Sequence, residues 1–277
     1  MKRACVIGWP VEHSRSPVIH RYWLKLYGLE GAYEKEAVRP EELQGFLRSL
    51  GDRSYVGANV TLPLKEAALA SAESADQAAE AIGAANTLWL DAAGTLHASN
   101  TDAYGFMTHL TQEAPDWNKG ERPVVVLGAG GAARAIVYAL VEGGASKIMI
   151  VNRTGERAQA LAKSFGARVV TVAWEDRNAA LSGCGLLVNA TSLGMTGKPA
   201  LDLDLAALPA DAIVADIVYS PLATPLLAAA RAKGNPTVDG LGMLLHQAVP
   251  GFARWFGIRP EVTPELRAHV AASLAEQ

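Results

Sequence analysis

The chain has 277 residues, half of them apolar and 19 % charged, with a formal net charge of −3. That length allows a large core and two domains, and the near-neutral balance gives no reason to expect nucleic acid or an anionic membrane as partner. Two cysteines, Cys5 and Cys184, make no disulfide framework or metal motif, the six histidines show no ligand spacing, and no apolar run is long enough to span a bilayer, which together fit a cytoplasmic protein without a metal.

Strand and helix alternate from the start. Cys5 to Ile7 reads as a short strand, and Ser16-Pro17 opens a helix to Gly28, with serine as cap and proline at the first position. A second strand is expected around Tyr33 to Lys35, a helix from Pro40 to Gly51, and a third strand over Gly57 to Thr61, stopped by Pro63. Asn86 to Leu90 and Thr95 to His97 form a hairpin across Asp91 to Gly94, and Thr101-Asp102 caps a helix to about Ala114.

Pro123 to Leu127 is a buried parallel strand running into Gly128-Ala129-Gly130-Gly131-Ala132-Ala133. This is a G-x-G-x-x-A turn: its glycines let the backbone approach a pyrophosphate, and the following helix N-terminus offers free N–H groups and a positive dipole end. The helix stops at Gly143-Gly144, and Lys147 to Val151 is the next strand. Further strands follow at 168–172, 185–189, 212–216 and 237–238, with helices between most of them, so this half is a Rossmann-type doubly wound parallel sheet. Helices over Leu241 to Trp255 and Thr263 to Ala275 close the chain and are expected to complete the first domain. The expected division is 1–101 plus 240–277 against 102–239.

Asn152-Arg153-Thr154, with Arg157 one turn further on, ends the second strand of this sheet. An NAD site places a carboxylate there for the ribose 2′-hydroxyl, whereas two guanidiniums and a hydroxyl suit the 2′-phosphate of NADP. In the first domain, Ser14 and Ser16 flank a loop–helix boundary that would suit a carboxylate, though each also has an ordinary turn or cap role. Lys65 and Asp102 each stand at a helix start, where a solvated lysine and a capping aspartate are commonplace. Together they would meet a need of hydride transfer to a ketone, which leaves an alkoxide to be protonated.

In order, His13-Ser14-Arg15-Ser16-Pro17, Asn59-Val60-Thr61 with Pro63 and Lys65, Gly83 to Thr87, Asn100-Thr101-Asp102 with Gly105-Phe106, the glycine turn, Asn152-Arg153-Thr154, Asn189-Ala190-Thr191-Ser192 and Gly240 to Gln247 run through the whole chain. This set resembles the motifs of the shikimate dehydrogenase family. The resemblance implies an NADP-dependent enzyme interconverting 3-dehydroshikimate and shikimate, a small-molecule enzyme that is a monomer or homodimer. Lys65 and Asp102 would be the catalytic pair, and Ser14 and Ser16 the carboxylate site. Thr61, Asn86, Tyr219 and Gln247 would line the ring. Gly128, Ala129, Gly130, Gly131, Ala132, Asn152, Arg153, Thr154, Arg157 and Thr191 would bind NADP, with Gly240 and Met243 near the nicotinamide. A quinate/shikimate dehydrogenase of relaxed cofactor use is the nearest alternative, but it tends to carry an acid where this chain has Asn152-Arg153-Thr154. A non-catalytic NADP-binding regulator would have no need of both Lys65 and Asp102. Arg21 departs from the asparagine frequent in the family and is expected to be peripheral.

Overall fold

The computed structural model describes residues 1–275 and divides the chain into two compact units, 1–102 with 245–277 and 103–244. The first unit is built on a mixed sheet. β1 (Lys2–Gly8), β2 (Gly31–Ala37) and β3 (Tyr55–Val60) are parallel. β5 (Thr87–Leu90) and β6 (Leu96–Ser99) form an antiparallel hairpin beside β3, and the two-residue β4 (Ser74–Ala75) lies on the outer edge, giving the order β2-β1-β3-β5-β6-β4. The helices are α1 (Ser16–Leu26), α2 (Leu43–Arg48), α3 (Lys65–Ser71) and α4 (Gln77–Ile82), then α5 (Asp102–Glu113), which opens on the unit's last residue, and later the C-terminal part of α9 (Gly240–Phe256) and α10 (Pro264–Ala275).

Cys5 and Ile7 of β1 pack with Leu43, Phe46, Leu47, Leu50, Leu88 and Leu96 in one apolar cluster on one face of the sheet, while the strand is buried without a break from Ala4 to Gly8, as a central strand covered on both faces should be. Gly57 of β3 admits α9 to the sheet. A Cβ there would sit 2.2 Å from Trp255 Nε1, which instead donates to Leu88 O at 2.9 Å. The helix expected from Pro40 begins as a single 3₁₀ turn and becomes α-helical only at Leu43. α3, β4 and α4 have no clear signal in the sequence, because their apolar faces are short and alanine-rich. Ser16 is the first helical residue of α1 rather than its cap: Arg15 holds the cap position, and no side chain caps the helix. Arg21 donates from Nε to Tyr33 O at 2.8 Å, tying α1 to the edge strand β2.

The second unit carries six parallel strands, β7 (Val124–Leu127), β8 (Ile148–Val151), β9 (Val169–Val172), β10 (Leu186–Asn189), β11 (Ile213–Asp216) and β12 (Thr237–Val238). Their spatial order is β12-β11-β10-β7-β8-β9. That is the Rossmann order, with its reversal between β7 and β10. α6 (Gly131–Glu142), α7 (Gly155–Phe165) and α8 (Pro225–Lys233) form crossovers, while β9 reaches β10 through two 3₁₀ turns and β10 reaches β11 through a long loop without a helix. Among the described residues no helix is long and apolar enough to cross a membrane.

His20 of α1 is fully buried among aromatic rings, stacked on Tyr33 at 4.0 Å and close to Trp23, Phe252 and Trp255. Neither ring nitrogen finds a hydrogen-bond partner among the described residues. Burial pushes the imidazole from 6.5 down to about 3. The unfolded chain takes up this proton below its ordinary pKa and the folded chain does not, so the stability is whole above about pH 6.5 and is lost as pH falls toward 3. Between pH 7 and 5 the loss from this group is about 2 kcal/mol. Urea unfolding followed by tryptophan fluorescence should therefore show His20→Phe gaining about that much on the wild type on going from pH 7 to pH 5. An unchanged difference at the two pH values would remove His20 as the acid-labile group.

Candidate active site

In the first unit the candidate residues gather at the carboxyl ends of β1 and β3 and at the start of β5. β3 delivers Thr61 and, after Leu62-Pro63-Leu64, Lys65 as the first residue of α3. Asn86 precedes β5, Asp102 opens α5, and Gln247 lies on α9. Lys65 Nζ donates to Asp102 Oδ2 at 2.5 Å, with 24 % and 14 % of the two side chains exposed. Asn86 Nδ2 donates to the other carboxylate oxygen, Oδ1, at 2.8 Å and to Gln247 Oε1 at 3.3 Å. The helix-start role expected of Asp102 belongs instead to Asn100, whose Oδ1 accepts from Asp102 N at 3.1 Å. The carboxylate is thereby left to hold the lysine.

Asn86 is the buried centre of this arrangement. Its Oδ1 accepts from Thr101 N at 2.8 Å, Thr87 Oγ1 at 3.0 Å and Thr101 Oγ1 at 3.1 Å. Thr101 Oγ1 also lies 2.8 Å from the Gln247 carbonyl, securing α9 to the same point. Behind it, Asn59 of β3 donates to Asn86 O at 3.1 Å and Thr87 Oγ1 at 3.2 Å and accepts from Tyr33 Oη at 2.5 Å. Sequence reasoning misses Tyr33, Thr87 and this role of Asn59, although an asparagine inside the apolar run Gly57-Ala58-Asn59-Val60 is a visible signal, since a buried amide needs partners. Ser14 Oγ donates to Ser16 Oγ at 3.3 Å, so the two hydroxyls do share a loop–helix corner.

In the second unit, Gly128 to Ala132 form the turn from β7 into α6. Gly128 is buried at φ +109, and a Cβ there would lie 3.0 Å from Ala190 O and 3.1 Å from Thr191 Cγ2, while Gly130 and Gly131 face open space. The glycine turn and Thr191 thus meet at the carboxyl ends of β7 and β10, the switch point where a doubly wound sheet takes its ligand. Asn152, Arg153 and Thr154 fill the turn from β8 into α7, with Asn152 Nδ2 on Thr154 O at 2.8 Å. Arg153 and Arg157 are exposed and make no ion pair among the described residues, although Glu156 stands between them. A glycine cradle with open space and two unpaired guanidiniums fit the pyrophosphate and 2′-phosphate of NADP. Tyr219 follows β11, and Gly240 and Met243 begin α9, all within this unit.

A switch-point nucleotide fold joined in one chain to a unit carrying a hydrogen-bonded lysine–aspartate pair defines a nicotinamide-dependent dehydrogenase. Family models agree: residues 6–88 match the shikimate dehydrogenase substrate binding domain, 110–196 the shikimate / quinate 5-dehydrogenase domain, and 240–264 the shikimate 5′-dehydrogenase C-terminal domain. The shikimate dehydrogenase (NADP(+)) of Rhodopseudomonas palustris strain TIE-1 is 58 % identical, covering 99 % of this chain and 98 % of its own. The shikimate 5-dehydrogenase of Thermus thermophilus, solved with NADP(H) and shikimate, is 39 % identical with a TM-score of 0.87, covering 99 % and 100 %. The quinate dehydrogenase of Corynebacterium glutamicum, solved with NAD, is 32 % identical with a TM-score of 0.91, covering 98 % and 100 %. The chain belongs to the shikimate dehydrogenase family.

Asn86→Ala should destabilise the first unit by about 3 kcal/mol, because it strands buried donors on Thr101 and Thr87 and leaves Asp102 short of a partner. Urea midpoints measure this, and a loss below about 0.5 kcal/mol would show that the amide is not the centre of the network.

Proposed function

We propose that this chain catalyses the reversible, NADP-dependent reduction of 3-dehydroshikimate to shikimate. The observation that carries the proposal is the Lys65–Asp102 pair braced by Asn86, in a chain whose relatives over nearly full length are NADP-dependent shikimate dehydrogenases. When bound, the nicotinamide supplies the hydride in one direction and accepts it in the other.

Lys65 gives its Nζ proton to the alkoxide oxygen formed at the reduced carbonyl and recovers a proton from solvent. Asp102 holds that ammonium group through Oδ2, while Asn86 fixes the carboxylate through Oδ1. Ser14 and Ser16 take the substrate carboxylate, and Thr61, Asn86, Tyr219 and Gln247 take the ring and its hydroxyls. Gly128, Ala129, Gly130, Gly131 and Ala132 face the pyrophosphate, and Asn152, Arg153, Thr154 and Arg157 the 2′-phosphate; Thr191 also binds NADP, and Gly240 and Met243 lie toward the nicotinamide. A quinate dehydrogenase using NAD shares the fold, but the absence of a carboxylate at the end of β8 and the two free guanidiniums favour NADP here. The enzyme acts on this small molecule in the cytoplasm, as a monomer or a homodimer.

A positioned acid–base group contributes roughly 10²–10⁴-fold in rate. Lys65→Ala should lower kcat for shikimate oxidation by about that factor while leaving its KM within about threefold. Asp102→Asn should also lose rate, and the double variant should fall far short of the product of the two losses, since the groups act as a unit. Near-normal turnover in Lys65→Ala would remove the lysine from the chemistry.

A further inference from the structure

Asp216 is 1 % exposed at the end of β11, and no cation lies within ion-pairing distance among the described residues. Burial raises its carboxyl to about 6, against the pull of its hydrogen bonds. An isolated buried carboxylate is expensive, so its hydrogen bonds indicate what it does. All are accepted from neighbours: Asn189 Nδ2 at 3.0 Å and Val218 N at 3.0 Å on Oδ1, and Thr224 Oγ1 at 2.7 Å on Oδ2. β10, the exit of β11 and the cap of α8 are tied to one charge.

The Asn189 link leads to the cofactor face. With Nδ2 committed to Asp216 and to Leu193 O at 3.2 Å, Asn189 must present Oδ1 to Thr191, accepting from its N at 3.1 Å and its Oγ1 at 2.7 Å. Thr191 Oγ1 in turn accepts from Leu193 N at 3.1 Å. The hydroxyl proton of Thr191 is therefore spent, and one lone pair remains open. Ala190 and Thr191 are the residues against which Gly128 packs.

We propose that Asp216 is a positioning residue for the cofactor: by fixing the amide of Asn189 it holds Thr191 against the glycine turn with its hydroxyl oriented to accept a hydrogen bond from the nucleotide. This rests on the NADP-dependent reading given above.

The test is NADPH binding, followed by the fluorescence of the cofactor itself, so that no turnover of shikimate is needed. Asp216→Ala should raise the Kd about tenfold or more, the loss of one good hydrogen bond. Asp216→Asn should recover most of it, because its amide oxygen can still accept from Asn189 and Val218. Asp216→Ala/Thr191→Ala should bind no worse than the weaker single variant, because both cut one path. Thr224→Ala removes the α8 cap and the third donor, and should lower Tm while leaving Kd within about twofold. Should Asp216→Ala fail to fold, Asn189→Ala cuts the same link and serves in its place. An Asp216→Ala Kd within twofold of wild type, or multiplicative losses in the double variant, would overturn the positioning role alone. A wild-type chain that does not bind NADPH would overturn the dehydrogenase reading and this inference with it.

Discussion

The first unit depends on the carboxylate of Asp102 accepting Lys65 on one oxygen and Asn86 on the other. The three residues come from three separate places, the start of α3, the start of β5 and the start of α5. Apolar packing brings two of these starts near one another, since Leu64 and Ala68 beside Lys65 and Ala85 and Leu88 beside Asn86 share the cluster around Ile7 and Phe46, but it does not orient their polar side chains. The convergence is kept by hydrogen bonds, and Asn86 is the piece that cannot be replaced by an apolar residue. Its amide joins Asp102, Thr87, Thr101 and Gln247, so the position of the ion pair is set from β5 and from α9 at once. The pair is only partly exposed, which strengthens the interaction compared with one in bulk water and leaves a path for proton exchange.

The second unit solves a different problem with the same economy of polar groups. Parallel strands end together at one edge, and the order reversal between β7 and β10 opens a crevice there. The crevice is useful only if both walls are fixed. Gly128 fixes one by letting the β7 turn approach Ala190 closely, and Asn189, bonded to Asp216, fixes the other. One wall is set by the absence of a side chain and the other by a buried charge.

Much of this is legible in the sequence. The parallel strands at 124–127, 148–151 and 186–189, the glycine turn and the hairpin at 87–99 follow from apolar runs bounded by glycine, and they lie within a residue or two of the positions those runs indicate. The family motifs point to Lys65, Asp102 and Asn86. Long-range pairing is what the sequence hides. That Asn59 would bond Tyr33, or that Asn189 would bond Asp216, depends on strands brought together by the sheet and not on spacing along the chain. Local rules also misassign Ser16 as a cap: a serine before proline has the right chemistry, but the helix begins one residue earlier than that rule supposes. The segment from Lys65 to Ile82 is hard to read because its alanines give helices with little amphipathic signature.

The proposed reaction requires a lysine–aspartate site for one ring substrate and a guanidinium site for one cofactor. The most direct measurement crosses shikimate and quinate with NADP and NAD in steady-state oxidation by the purified chain. Shikimate with NADP should give the highest kcat/KM of the four, with NADP favoured over NAD by at least about tenfold, the worth of a charge-assisted hydrogen bond to the 2′-phosphate. Equal efficiency with the two cofactors, or a preference for quinate with NAD, would contradict it.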